Sequence, residues 1–265
     1  MTPQLDRAAE LIDNADAVLV CAGAGMGVDS GLPDYRGNQG FWRAYPPYAR
    51  LELDFTAIAD PAHFVSDPEL AWGFYGHRLD LYRNTVPHKG FDVLRRRNAR
   101  VFTSNVDGQF QRAGFIDVAE VHGTIHWLQC LVPCTDRIWD AHDTHVTVDP
   151  ETMRAVGPLP RCPDCGGLSR PNILMFGDHG WIAHRSQTGL DDFSAWRRRN
   201  RNIAVIEIGA GNAVPTVRRQ AELASAASGA LIRINPRESE IRHGRGVSIA
   251  MGAAEALAEI EARLD

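Results

Sequence analysis

Four of the five cysteines stand in two close pairs, Cys130-x3-Cys134 and Cys162-x2-Cys165, with 27 residues between the pairs. Two short turns that each offer two sulfurs to one ion are what a tetrahedral zinc–thiolate site needs. Pro133, Pro163, Gly166 and Gly167 favour such tight turns, and four unrelated core cysteines are the competing reading. A zinc ion held by four protein thiolates has no position open for substrate, so it would be structural. A second feature is the turn Gly23-Ala24-Gly25-Met26-Gly27, directly after the apolar run Ala17–Cys21. At the carboxyl end of a parallel strand, such a turn lets backbone amides and a helix N-terminus approach a pyrophosphate. The third glycine of the dinucleotide fingerprint would fall at Val28, and no clear acidic residue ends a second strand. A merely tight turn is therefore the alternative. Third, His122 ends an apolar stretch just before Gly123, where α/β proteins carry loop chemistry and where an imidazole titrates near neutrality.

These groups need a framework, and the chain has the means to build one. Of its 265 residues 44% are hydrophobic and 23% charged, which excludes disorder as the dominant state and supplies a real core. No apolar run approaches the roughly 20 residues of a membrane span. The start, MTPQLDRAAELIDNADAVLV, lacks the pattern of a secretory signal, so a disulfide framework is not expected and a cytoplasmic location is. A net charge of −5 argues against a protein that coats nucleic acid. Residues 3–14 read as an amphipathic helix and 16–21 as an apolar strand. Helices follow at 68–84 and 89–97, then a strand at 100–105, a short helix after Asp107, and a strand ending at Val121-His122-Gly123. Further on, 202–209 and Ala230–Pro236 read as strands, with a helix between them and another closing the chain. Apolar strands separated by helices predict a Rossmann-like α/β fold, a parallel sheet with helices on both faces. The large unit is expected at about 1–35, 85–128 and 171–265, with a small zinc-binding module at about 129–170. Residues 35–65, aromatic- and proline-rich with weak periodicity, read as a long functional loop within a cofactor-covering segment of about 36–84.

The stretch Gly23–Gly37, GAGMGVDSGLPDYRG, resembles the cofactor loop GAGxSxxSGIPDFRG of the sirtuins, the NAD-dependent protein deacylases. TSNVDGQFQRAG (103–114) is similar to their TQNIDxLHxxAG, VHG (121–123) to their catalytic HG, and RPNILMFGD (170–178) to RPxVVxFGE. GAGNAVPTV (209–217) and INPRE (234–238) resemble the GTSxxVxP and IN segments that hold the adenosine half of NAD. Together these cover about 15 to 260, in the family's order. The resemblance implies that Gly23, Ala24 and Gly25 line the diphosphate, while Asp34 and Arg36 position nicotinamide and Tyr35 shields the reacting ribose carbon. Ser104, Asn105 and Asp107 would border the nicotinamide and ribose end, and His122 would be the general base. Gly209, Ala210, Gly211, Asn235 and Ala253 would surround the phosphates and adenosine. Phe176 and Gly177 would pair with a substrate peptide carrying an acylated lysine. In this family the acyl oxygen attacks the ribose to give an alkylimidate, and the acyl group leaves on ADP-ribose. The Phe41–Trp42 region is expected to keep water out.

Departures from the pattern mark what is specific to this chain. Ser104 stands where the family has glutamine, Gln109-Phe110 for Leu-His, Ala210-Gly211 for Thr-Ser and Asp178 for Glu. Asn105 and Asp107 also suit helix capping, and His126, His142 and His145 suit solvated or structural places. Sirtuins that prefer negatively charged acyl groups carry a Tyr-x-x-Arg pair. Tyr45, Tyr48 and Arg50 lack that spacing, so an acetyl or hydrophobic acyl group is expected. Outright NAD cleavage or ADP-ribose transfer, supported by Ser104 and Gln109-Phe110, is one competing function. A non-catalytic NAD or ADP-ribose sensor is another.

Overall fold

The computed structural model describes residues 1–34, 37–241 and 246–264. The run AVLVCA at Ala17–Ala22 is apolar on both faces and becomes a central strand of a six-stranded parallel sheet. Across that sheet the strands run Val247–Ile249, Leu231–Ile234, Ile203–Ile208, Ala17–Ala22, Arg100–Thr103 and Val118–Glu120. The chain therefore starts in the middle, builds one side, and returns to build the other. Such a reversal of strand order opens a crevice at the carboxyl ends of the two central strands. The register fixes what meets there. Ala22 lies between Ile208 and Thr103, so Gly23, Gly209 and Ser104 leave the sheet side by side.

Alternate side chains of the central strand serve opposite faces. Val18, Val20 and Ala22 pack with Leu5, Ile12, Phe91, Leu257 and Ile260 from the helices Thr2–Asp13, Gly90–Arg96 and Ala253–Glu261. Leu19 and Cys21 pack with Phe102, Phe193, Val217 and Ala221, under the helices His184–Arg199 and Thr216–Ser225. The helix at 184–199 does not announce itself in the sequence, because Ser186 and Phe193 alone are fully buried along its 16 residues.

A second core lies beyond the crevice and corrects one expectation. Residues 37–66 are no long loop but four short helices, Gly37–Ala44, Pro46–Arg50, Phe55–Ile58 and Ala62–Ser66. Their aromatic residues face inward. Phe41, Tyr45 and Tyr48 are buried against Phe74 and Tyr75 of the long helix Pro68–Asn84. Phe41 stacks on Tyr48 with centroids 5.9 Å apart, and burying one such ring stabilises by roughly 1.5–3 kcal/mol. Trp42, expected at the cleft, gives its indole N–H to the Leu53 carbonyl at 2.7 Å. The same core extends into the antiparallel sheet Ile138–Asp140, Gly123–Cys130 and Ser169–Ile173. Trp72 ties helix to sheet by donating to the Ser169 carbonyl at 3.0 Å.

The long helix also meets the strand Arg154–Val156 at Gly73, where an added Cβ would stand 2.0 Å from the Met153 carbonyl oxygen. Both sides of this contact are backbone and cannot swing away. Gly73→Ala should therefore cost about 1–3 kcal/mol or more, read as a lower urea midpoint at unchanged slope. An unchanged midpoint would contradict this packing.

Candidate active site

Two glycine turns meet where the central strands end. Gly23 N–H donates to Ile208 O at 2.9 Å, Gly25 N–H to Gly209 O at 3.1 Å, and Gly209 N–H to Ile234 O at 3.0 Å. Gly209 has φ +61°, and a Cβ there would lie 2.4 Å from the Gly25 carbonyl carbon. The two backbones are thus in direct contact, with no room for a side chain between them. Neighbouring strands lock the turns from both sides. Thr103 Oγ1 donates to Ala22 O at 2.9 Å, and Asn105 Nδ2 donates to Gly23 O at 3.0 Å. Asn235, fully buried, donates Nδ2 to Ala210 O at 2.9 Å and accepts the Arg237 and Glu238 amides at 3.0 Å.

The crevice above these turns holds a cavity of 580 Å³. Gly23, Ala24, Asp34, Ser104, Asn105, Asp107, His122, Phe176, Gly209, Ala210 and Gly211 all wall it. Gly25 and Asn235 stand behind that wall and brace it. Gly177, with φ +67°, lies in the exposed loop beside Phe176. Ala253, expected around the adenosine, is instead 4% exposed in the core with Leu257 and Ile260, because it opens a helix packed on the sheet. Tyr35 and Arg36 lie outside the described residues. After Ala24 the chain winds as a seven-residue 3-10 helix, Ala24–Ser30.

Burial holds the His122 pKa below that of an ordinary imidazole, partly offset by a hydrogen bond to the Ser104 backbone carbonyl. A carbonyl only accepts, so the ring nitrogen facing Ser104 carries the proton and the other keeps its lone pair. Asp107 both caps and walls the cleft: Oδ1 accepts the Gln109 amide at 2.9 Å. Burial pushes its carboxyl up to about 6. His126 is structural, its Nε2 standing 2.9 Å from the Asp107 carbonyl.

Two family departures do not themselves wall the cavity. Gln109 donates Nε2 to Tyr82 O at 3.1 Å, and Phe110 packs in the core with rings of Phe91 and Phe115 at 5.0 and 5.2 Å. Asp178 takes both ends of the Arg170 guanidinium at 2.6 and 2.9 Å, with each side chain 1% exposed, and so anchors the loop that carries Phe176. Phe176 N–H donates to Ala59 O at 3.0 Å.

Sequence reasoning missed one pair. The Tyr-x-x-Arg spacing, sought at Tyr45 and Tyr48, occurs at Tyr75-Gly76-His77-Arg78 in the long helix, and both end residues wall the cavity. A search of the whole chain for that spacing finds it. Arg78 is 5% exposed; its Nε and Nη2 donate to Tyr82 Oη at 2.9 and 2.7 Å, and its guanidinium lies 5.0 Å from the Phe74 ring centre.

The four paired cysteines come together away from the cleft, with all sulfurs within 4.8 Å of one another. Cys130 and Cys165 are 3.6 Å apart and Cys134 and Cys162 3.7 Å. A tetrahedron with metal–sulfur bonds of about 2.3 Å has edges near 3.8 Å, so the cluster fits a structural zinc ion. Cys21, buried in the central strand, takes no part. Protein purified without chelator should carry about one zinc per chain, and Cys162→Ala should lose both the metal and the fold of the module. Metal analysis finding none would contradict the assignment.

Comparison with known proteins agrees with this geometry. The model of the Sir2 family matches residues 23–192. The chain is 32% identical over 257 residues to NAD-dependent protein deacylase 1 of Pseudomonas aeruginosa, covering 95% of each protein. It is 28% identical over 248 residues to the protein of that name from Archaeoglobus fulgidus, covering 92% of this chain and 91% of the relative. A crystal structure of a Sir2 homologue–NAD complex superposes with a TM-score of 0.75 at 25% identity, over 96% of this chain and 91% of that one. With its dinucleotide crevice, its cysteine cluster and these relatives in agreement, the chain belongs to the Sir2 family.

Proposed function

We propose that the protein removes acyl groups from protein lysines in an NAD-dependent reaction, with His122 as general base. What supports this most directly is that one cleft is walled by a half-buried imidazole at one side and by two glycine turns at the other. No side chain from Gly23-Ala24 or Gly209–Gly211 is larger than a methyl group, so a diphosphate can come close to backbone amides. When bound, NAD supplies a sugar–nicotinamide bond whose leaving group already carries positive charge. Asn105 and Asp107 would border the nicotinamide. The acyl-lysine would enter past Phe55 and Phe176, which fix a weak nucleophile by position rather than by activation. His122, neutral at pH 7, takes a proton from a sugar hydroxyl at its unprotonated nitrogen while Ser104 O holds the ring.

The acyl group preferred is one ending in a carboxylate, such as succinyl. Arg78 stands beside Tyr75 in a lining that also includes Phe55, Ile173, Met175 and the Asp107 carboxyl. A guanidinium in that setting matches a carboxylate far better than a methyl group.

Purified protein incubated with NAD should release nicotinamide and form O-acyl-ADP-ribose only when an acyl-lysine peptide is present. Nicotinamide release without peptide would contradict deacylation. His122→Ala should retain ADP-ribose binding and lose at least about 100-fold in kcat. Because burial lowers the His122 pKa, the neutral base persists above that value and is lost as pH falls through it. The acid limb of kcat/KM, which reports the free enzyme, should thus lie below pH 6.5; a limb above 7 would remove His122 from the role. Arg78→Met should depress kcat/KM for succinyl-lysine peptides about tenfold more than for acetyl-lysine peptides, the scale of a charged hydrogen bond. Equal losses on both would refute the acyl assignment.

A further inference from the structure

We infer that Arg218 is a positioning residue for the dinucleotide, acting through the backbone amide of Gly211. This rests on the cleft reading above and assigns a role to a side chain that does not itself wall the cavity. Arg218 rises from the helix Thr216–Ser225 beneath the second glycine turn. Its Nη2 donates to Ala210 O at 3.1 Å and to Glu238 O at 2.6 Å. It therefore clamps the turn after the strand Ile203–Ile208 to the loop after the strand Leu231–Ile234.

The direction of that clamp matters. Ala210 O is drawn down by two donors, Arg218 Nη2 and Asn235 Nδ2, both below the cavity floor. Peptide bonds of the described chain are trans, so the N–H of the same peptide unit, that of Gly211, points the opposite way. Ala210 and Gly211 form the cavity wall, so that N–H is presented to the cleft. The next amide is engaged elsewhere, because Asn212 N–H donates to Glu238 Oε2 at 3.2 Å. Most sirtuins have Thr-Ser at this place; with Ala210-Gly211 no hydroxyl is offered, and a fixed amide takes over the donation.

Arg218 is itself held in place. Its Nε lies 3.6 Å from Glu207 Oε1, and Glu207 is fixed by both ends of Arg233 at 2.8 Å. Arg233 reaches Glu222, on the same helix as Arg218, at 3.1 Å. Two cations face the carboxylates of Glu207, Glu222 and Glu238, so the group does not draw a phosphate by net charge. Its contribution is orientation.

Arg218→Met should raise the NAD KM and the ADP-ribose Kd by about three- to tenfold, the scale of one well-placed hydrogen bond. Saturated kcat and the KM for acyl peptide should stay within about twofold, since those interactions are not touched. Arg218→Lys, which keeps the charge and can reach one carbonyl, should fall between Arg218→Met and the parent protein. Melting curves would show both variants folded at the assay temperature. Unchanged ADP-ribose affinity in Arg218→Met would overturn the proposal, as would equal losses in kcat, peptide KM and NAD KM, which mark a merely structural role. ADP-ribose binding is read without turnover, so a parent protein that binds but does not deacylate would defeat the functional reading and leave this one standing.

Discussion

Everything at the site depends on one close approach. The first glycine turn and the turn after the strand Ile203–Ile208 touch backbone to backbone, with Gly25 N–H on Gly209 O at 3.1 Å. Side chains there would force the two central strands to end further apart. Because the strand order reverses between them, this is the place where a doubly wound sheet opens. The contact closes the bottom of that opening and leaves a cavity floor made of main chain. Polar side chains from the neighbouring strand ends, half-buried Asn105 and buried Asn235, satisfy the carbonyls that the turns would otherwise strand.

The opposite wall has a different physical origin. It is built by a core of aromatic rings around the helix Pro68–Asn84, joined to the antiparallel sheet and to the cysteine module. That core carries Tyr75 and Arg78 to the cavity, while the bidentate Arg170–Asp178 pair sets the loop bearing Phe176. A buried pair of this kind costs desolvation, and its gain is a unique loop position rather than net stability. The wall of glycine turns is thus backbone on a sheet, whereas the opposite wall is side chains on a helical core.

How much of this is legible in the residues varies with the physics of each part. The runs AVLVCA and IAVIEI are buried on both faces, so their apolar character, broken in the second only by Glu207, reveals them without context. The cysteine pairs are equally plain, because a metal site needs fixed spacing. The short helices between 37 and 66 are hidden, since their order comes from Phe41, Tyr45 and Tyr48 packing on Phe74, and such tertiary contacts leave no period in four or five residues. Ala253 and Asn235 do not themselves wall the cavity. Ala253 sits in the core, and Asn235 supports Ala210 from below rather than facing the cavity. Gln109-Phe110, which suggested altered chemistry, faces away into the core, a direction no alignment of letters reveals. The Tyr75–Arg78 spacing is present in the letters, but nothing in them says that its helix lines the cavity.

The most direct test follows the backbone amides of the two turns by NMR while ADP-ribose is titrated into isotope-labelled protein. Saturable shifts should be largest at Ala24 and Gly211, with the Gly23 and Gly25 amides, already bonded to Ile208 O and Gly209 O, moving less. Shifts centred away from both turns, or none at saturating ligand, would contradict the account of the floor and of the cleft built on it.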